Sequence, residues 1–357
     1  MNRIDLAELG LIPDALIRFG IRRLLARRLA SLSEYCSEQF IEQLPASPLA
    51  VETDAANRQH YEVPAEFFQL VLGPSLKYSC CLFSPECSTL ADAEQRMLDE
   101  TCKRAQIRDG MRILELGCGW GSLSLWIASR YPGSQITAVS NSHSQRVFIE
   151  SRAKEAELRN LRVVTADMRL FDTDERFDRV VSVEMFEHMR NYELLFERVS
   201  RWLEDQGKAF VHVFCHRSTP YLFEQDGNDD WMARHFFTGG TMPSLGLFRD
   251  FNRHLAVSRQ WAVNGMHYWR TCEEWLRNLD RNRRQIQRLF ERDLSSSEAH
   301  RTLQRWRIFL MACAELFRYS GGNAWLVGHY LMEPVRGERP ELSARARQHG
   351  NWMPSAI

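Results

Sequence analysis

The 357-residue chain carries no charge excess: 46 lysines and arginines stand against 46 aspartates and glutamates. Without a positive field there is nothing to recruit nucleic acid, and no nucleic-acid partner is expected. No run of ~18 apolar residues occurs, which excludes a membrane-spanning helix. The first residues place Arg3 and Asp5 early and show no apolar core ahead of a small-residue cleavage site, so secretion is not expected. Nine cysteines are present, yet none form a Cys-x-x-Cys pair, and Cys80 and Cys81 are adjacent. That usage suits reduced thiols in the cytoplasm and argues against a disulfide frame or a structural zinc. Internal repeats and low-complexity tracts are absent too. With 44% hydrophobic residues, the chain can bury a sizeable core in one large domain or two smaller ones.

What is present is Ile113-Leu114-Glu115-Leu116, then Gly117-Cys118-Gly119-Trp120-Gly121, then Ser122 to Ala128 at helical spacing. Strand, glycine turn and helix start let a backbone without Cβ atoms approach a nucleotide-like ligand. The spacing Gly-x-Gly-x-Gly departs from the dinucleotide fingerprint Gly-x-Gly-x-x-Gly. No acid that would grip a ribose follows at Ser140-Asn141, so a nicotinamide-dependent oxidoreductase is disfavoured. Glu-x-Gly-x-Gly-x-Gly after an apolar strand instead resembles the cofactor loop of the Rossmann-like S-adenosylmethionine (SAM) methyltransferases. That likeness implies that Glu115 orients the loop and the methionine part of the cofactor.

Residues 1 to about 50 read as helical, and Ala15 to Leu29 hold five arginines and no acid. Such a helix suits peripheral membrane contact. Arg23 and Arg27, however, fall among the leucines, which favours packing on the body of the protein with snorkelling arginines. Residues 44–50 read as a linker. Thr89 and Asp92 stand at capping-box spacing and open a helix that ends at Asp109-Gly110. Strands follow at about 112–116, 135–140, 161–167, 177–184 and 208–214, alternating with helices, one at Ser122 to Ala128 after the first strand and one at about 142–156 after the second. This predicts an α/β fold with a mostly parallel sheet covered on both faces. Glu115, Ser140, Asn141, Asp167, Glu184 and His212 all fall at or just past strand ends, where ligands of such sheets bind. Residues 216–245 are loop-rich, helices are expected at 271–291 and 296–318, and residues 324–332 read as a strand returning to the sheet.

The chain from about residue 10 to 333 resembles the cyclopropane fatty acid synthase-like group of SAM methyltransferases, and within it the coclaurine N-methyltransferase type. The resemblance is carried by His60-Tyr61-Glu62-Val63-Pro64, Tyr78-Ser79-Cys80-Cys81, Glu115 to Gly121, Ser140 to Gln145, Val183-Glu184-Met185-Phe186-Glu187-His188-Met189 and Gly265-Met266-His267-Tyr268. It implies SAM as cofactor, with Tyr78 and Ser79 on its carboxylate and Gly117 and Gly119 lining it. Asn141 and Gln145 would contact ribose and adenine, and Asp167 the adenine amine. Together with Gly121, Ser140 and Glu184, these make the expected cofactor set. The expected organisation is a helical cap with a cofactor-covering loop (1–90), a Rossmann-like core (91–215) and an acceptor-binding helical lid (216–320). A last strand (321–335) and a C-terminal tail (336–357) complete it.

Methyl transfer needs an electron-rich acceptor held against the methyl group. An amine at neutral pH is mostly protonated, so a base must first take its proton. The resemblance assigns that work to Glu187 with His188 as its partner, after the fourth strand, where a helix is expected to begin. Cyclopropane formation on an unsaturated acyl lipid uses the same scaffold with a bicarbonate ion. The resemblance places that ion on Cys80, Glu187, His212 and Tyr268. The expected reaction is N-methylation of a small-molecule amine, with methyl transfer to an unsaturated acyl chain and a SAM-binding protein without turnover as the alternatives, and a homodimer is compatible with each. No metal site is expected: His212 and His216 share a strand face, Cys215 faces away and a fourth ligand is missing. Trp231, Phe236, Phe237, Trp269, Trp306 and Phe317 are candidate walls of an aromatic or acyl pocket or parts of the core.

Overall fold

Alternate residues of the central strands serve two different cores, so these stretches need no polar side. Ile113, Val181 and Phe210 pack with Leu98, Leu123 and Ile127 on one face of the sheet. Leu114, Val180 and Val211 pack with Leu195, Phe196 and Trp202 on the other. The computed structural model describes residues 3–32, 37–51, 63–223, 231–236 and 238–335. Its strands are β1 (Arg112–Leu116), β2 (Gln135–Ser140), β3 (Leu161–Thr165), β4 (Phe177–Val183), β5 (Leu203–His216), β6 (Tyr221–Leu222), β7 (Thr241–Met242), β8 (Leu255–Val263) and β9 (Trp325–Pro334). The main sheet has the order β3-β2-β1-β4-β5-β9-β8. Pairings from β3 through β5 are parallel, and those of β9 with β5 and β8 are antiparallel. The expected α/β class and sheet are therefore observed.

The helices are α1 (Arg3–Glu8), α2 (Asp14–Leu32), α3 (Ser37–Gln43), α4 (Ala65–Val71), α5 (Leu90–Arg104), α6 (Ser122–Arg130), α7 (His143–Glu155), α8 (Tyr192–Trp202), α9 (Trp231–His235), α10 (Gly265–Arg281), α11 (Arg283–Phe290) and α12 (Ser296–Arg318). The capping box of α5 forms as its spacing predicts, with Asp92 N–H donating to Thr89 Oγ1 at 3.2 Å and Thr89 N–H to Asp92 Oδ2 at 2.9 Å. Helices α10 to α12 lie between β8 and β9 in sequence. They share one apolar cluster with Phe67, Phe68 and Trp120, which makes a roof over the glycine turn. Helix α2 packs on α12. Its Arg18 reaches Glu273 at 2.6 Å and the buried Glu315 at 3.1 Å, and Arg22 reaches Glu315 at 3.1 Å. Arg28 lies over the ring of the buried Tyr221 at 5.4 Å, so three of the five arginines are spent inward, which matches the packed-helix reading, while Leu16 and Phe19 remain exposed.

Three expectations need correction, and one strand goes unread in the sequence. Strand β8 carries no legible pattern, because it is an edge strand with exposed Arg259 and a bulge between Val257 and Arg259 that breaks its alternation. The helix expected at 271–291 begins earlier, where Asn264 caps Met266 N–H at 2.8 Å, and is interrupted at Asn282. Residues 44–50 are no linker: Asn191 Nδ2–H donates to Pro45 O at 2.8 Å and Ser47 O at 3.0 Å, and Ala50 bridges Met189. No helix starts at Glu187; a 3-10 turn at Phe186–His188 precedes α8. The His60-Tyr61-Glu62 motif, Phe237 and the tail 336–357 lie outside the described residues. Among the described residues no helix is long and apolar enough to cross a membrane, and no group of three or more His, Cys, Asp or Glu is placed to hold a metal ion.

Candidate active site

The strand order reverses at β1 and β4, since β2 and β3 lie to one side of β1 and β4 and β5 to the other. The carboxyl ends of β1 and β4 therefore open a crevice, the usual ligand position of such sheets. Gly117, Gly119 and Gly121 turn the chain there, all with positive φ. At Gly119 a Cβ would meet nothing within 4 Å, so this glycine faces open cavity. A Cβ on Gly121 would strike Ile149 at 2.7 Å, so that residue serves the turn and not the cavity lining. Glu115 is buried at the end of β1 and accepts a hydrogen bond from Ser124 Oγ in the first turn of α6. Burial pushes its carboxyl up to about 7 against that hydrogen bond. The acid therefore ties β1 to α6 and lines the cavity.

This burial has a consequence for stability. A carboxyl raised in the fold binds its proton more tightly there than in the unfolded chain, so its contribution is fully present below about pH 4.5 and is lost as pH rises to about 7. At about 1.4 kcal/mol per pH unit, Glu115 accounts for about 3 kcal/mol of that loss. The urea midpoint of the ligand-free protein is expected to fall between about pH 5 and pH 8, and to fall less in Glu115→Gln. An equal slope in both proteins would refute the assignment.

Glu184 directly follows β4 in the left-handed region, at φ 48°, a conformation that costs a non-glycine residue about 1 kcal/mol and aims its side chain away from the strand course. Its backbone N–H donates to His212 O at 2.8 Å. Three groups gather on its carboxyl: Cys80 N–H at 3.1 Å and His212 Nε2 at 3.2 Å on Oε1, and Tyr268 O–H at 2.5 Å on Oε2. Burial pushes the Glu184 carboxyl up to about 7, against the nearby Lys77 ammonium and these hydrogen bonds. Glu187 is buried beside it with Oε2 unpartnered, and burial plus the Glu184 charge hold its carboxyl well above the usual range. His212 is fully buried, and burial with the Lys77 and Arg104 charges keeps its imidazole neutral. The Cys80 thiol donates to Cys81 O at 3.3 Å, and burial raises it far from the thiolate form.

The structure thus regroups the expected set. Cys80, His212 and Tyr268 come together, but around Glu184, which sequence reasoning had placed with the cofactor, and not around Glu187. A protein carboxylate takes the donors that the resemblance assigned to bicarbonate. Tyr78, Ser79, Glu115, Gly117, Gly119, Gln145, Glu184, Glu187, His188 and Tyr268 line the main cavity. Ser140, Asn141 and Asp167 line a smaller one that shares Gly117, Gly119, Gln145, Glu184 and His188 with it, so the two are continuous. Asp167 is half-buried; burial raises its carboxyl, but the Arg169 hydrogen bonds at 2.6 to 2.9 Å outweigh this and hold it low. Sequence reasoning missed Lys77, buried with its ammonium on Cys80 O at 2.8 Å and on Ser79 Oγ. Its place directly before Tyr78-Ser79-Cys80 was the available signal. Of the candidate wall residues, Phe317 lines the cavity, whereas Trp306 and Phe236 pack behind it.

The residues of the cavity fit SAM. Gly119 leaves a cradle that a side chain would fill, and Gln145 Nε2 and Ser122 Oγ are buried without partners beside it. Fold and site together define a class I SAM-dependent methyltransferase. Residues 50–325 match the sequence model of the mycolic acid cyclopropane synthetase family, and the chain belongs to that family. It is 39% identical over 337 residues to (S)-coclaurine N-methyltransferase of Thalictrum flavum subsp. glaucum, covering 91% of this chain and 93% of that one. The crystal structure of a coclaurine N-methyltransferase bound to N-methylheliamine and SAH superposes with a TM-score of 0.88 at 37% identity, covering 92% and 98% of the two chains. Similarity to the cyclopropane-fatty-acyl-phospholipid synthase of Escherichia coli (strain K12) is lower, 28% identity over 76% of this chain and 66% of that one.

Proposed function

We propose that this methyltransferase acts on the nitrogen of a small aromatic amine of the coclaurine kind, with Glu184 as the group that holds and deprotonates it. The observation that carries the reading is the Glu184 carboxylate itself. A carboxylate offers about four lone-pair positions, and three are filled by Cys80, His212 and Tyr268. The fourth is left for an ammonium N–H. With its carboxyl near 7, Glu184 takes that proton close to the working pH, where a base is most effective. Two adjacent buried carboxyls do not both ionise readily. Glu184, held by three donors, ionises first, and Glu187 keeps its proton and anchors a polar group of the acceptor, with His188 as its neighbour. Tyr78, Trp275, Phe309 and Phe317 wall the cavity and exclude water from the amine.

When bound, SAM supplies an electrophilic methyl group on a positively charged sulfur. The residues present for it are the Gly117-to-Gly119 turn, Tyr78 and Ser79 for its carboxylate, Asn141 and Gln145 for ribose and adenine, and Asp167 for the adenine amine. A cytoplasmic location belongs to the same reading, supported by the free cysteines among the described residues. Peripheral membrane contact is supported by the exposed Leu16 and Phe19 of α2, and a homodimer remains compatible with it.

The test is turnover of methyl-labelled SAM with coclaurine-type and other cyclic amines, set beside vesicles of unsaturated phospholipid with bicarbonate. Label is expected in an amine, independent of bicarbonate, and Cys80→Ser is expected to stay within a few-fold because the backbone N–H, not the thiol, meets Glu184. Label in lipid that depends on bicarbonate and on the Cys80 thiol would overturn the proposal in favour of an acyl-chain acceptor.

A further inference from the structure

Behind Glu184 a line of hydrogen bonds runs through the sheet. His212 on β5 and His329 on β9 are register partners, and their rings meet with His329 Nε2 to His212 Nδ1 at 2.9 Å. Arg104, the last residue of α5, reaches His329 Nδ1 through Nη1 at 2.9 Å. Arg104 is itself buried, paired with Glu100 at 2.6 Å and stacked 5.2 Å from the Trp261 ring centre. None of these groups, His212 included, lines the cavity; Glu184 does.

We propose that Arg104 and His329 are positioning residues for the reaction: through a one-way chain of hydrogen bonds they fix which nitrogen of His212 carries its proton, and so keep His212 a donor to Glu184. The direction follows from arginine chemistry. A guanidinium has only donors and does not lose its proton in proteins. His329 Nδ1 must therefore accept. Both imidazoles are fully buried, and burial holds both well below their ordinary range, so they are neutral and each carries one proton. With Nδ1 accepting, the His329 proton is on Nε2 and is donated to His212 Nδ1. The His212 proton is then on Nε2, 3.2 Å from Glu184 Oε1. Each ring's tautomer is set by the bond its other nitrogen makes, and here both are set by one arginine.

Two consequences follow. His212 cannot act as the base, because the nitrogen facing Glu184 is already protonated. The proton taken from the amine therefore stays on Glu184 and leaves through the cavity, not through the sheet. The titratable or charged groups facing Glu184 are Lys77, Cys80, Cys81, Glu187, His212, Tyr268 and Cys272, from the loop before α5, the turn after β4, β5 and α10. The histidine pair faces Lys77, Glu184 and Arg104. Only Arg104 among these donates into the pair.

This inference rests on the reading of Glu184 as the base, but its first test does not. Imidazole nitrogen NMR of the ligand-free full chain, with signals assigned by His212→Gln and His329→Gln, is expected to show both rings neutral and protonated on Nε2 near pH 7. A ring protonated on Nδ1, or a charged ring, would overturn the proposal whatever the substrate is. The second test is the pH profile of kcat/KM for the amine that the chain methylates. Arg104→Met removes the donor and frees the pair to reverse, so the acid limb is expected to move up by about one pH unit, lowering kcat/KM near pH 7 about fivefold. Arg104→Lys, a donor-only cation, is expected to bring the limb back. A limb that stays put in Arg104→Met while kcat falls uniformly would reduce Arg104 to a structural role.

Discussion

Glu184→Gln is expected to lower kcat for the amine acceptor about 10³-fold, within the range lost when a general base is removed. The substitution keeps the size and removes the charge. It also alters the ring of hydrogen bonds, since the Tyr268 hydroxyl would have to turn and accept. A glutamine has one oxygen and one NH₂, so whichever way it turns, an N–H faces either His212 Nε2 and Cys80 N–H or the Tyr268 hydroxyl, all of which donate in the native site. The acid limb near pH 7 disappears with the titrating group. SAH affinity, measured by calorimetry, is expected to change less than tenfold, because the acceptor side is what is lost. Glu187→Gln is the contrast: a neutral side chain replaces a neutral side chain, and the loss is expected to stay near tenfold. Equal losses in the two variants, or residual Glu184→Gln turnover within tenfold of the native enzyme, would refute the division of roles.

Gly119→Val is expected to abolish detectable SAH binding, a loss of more than 100-fold, while leaving a folded protein. Gly119 has φ +52°, so a β-branched residue is strained there by about 1–2 kcal/mol, a cost a chain of this size tolerates. The added atoms meet no protein atom within 4 Å of the new Cβ and project into the cavity instead. Gly117 would be a poorer probe, since a Cβ there strikes Met185 at 2.7 Å and disturbs the turn that carries Glu184. Calorimetric titration with SAH, next to circular dichroism and a thermal melt, separates the outcomes. Retained binding would move the cofactor away from the glycine turn, and a molten spectrum would make the variant uninformative about binding, in which case Gly119→Ala carries the same test at lower strain.

The parts of the site legible in the sequence are those carried by backbone and local order. The glycine turn, the capping box at Thr89 and Asp92, and the polar residues at strand ends follow from propensity and alternation, which act over a few residues. The roles within Val183 to Met189 were not legible in that way. Glu184 and Glu187 are both acids just past β4, and alternation alone does not say which one the donors surround. The positive φ at Glu184 and the 3-10 turn at Phe186–His188 decide it by turning the two side chains into different surroundings. Likewise β8 gave no signal, because an edge strand is stabilised by pairing with β9 and not by a buried face of its own.

What the chain determines by itself is the architecture: apolar runs buried on both faces force a covered parallel sheet, and a glycine turn after the first of them forces a ligand crevice. What only the tertiary structure decides is the chemistry of that crevice. Cys80, Glu184, His212, Tyr268, His329 and Arg104 come from six separate places in the chain, and their hydrogen bonds exist only once β5, β9, α5 and α10 have packed. Proton positions and carboxyl acidity depend on burial and on neighbours far apart in sequence, and neither is a property of any one segment.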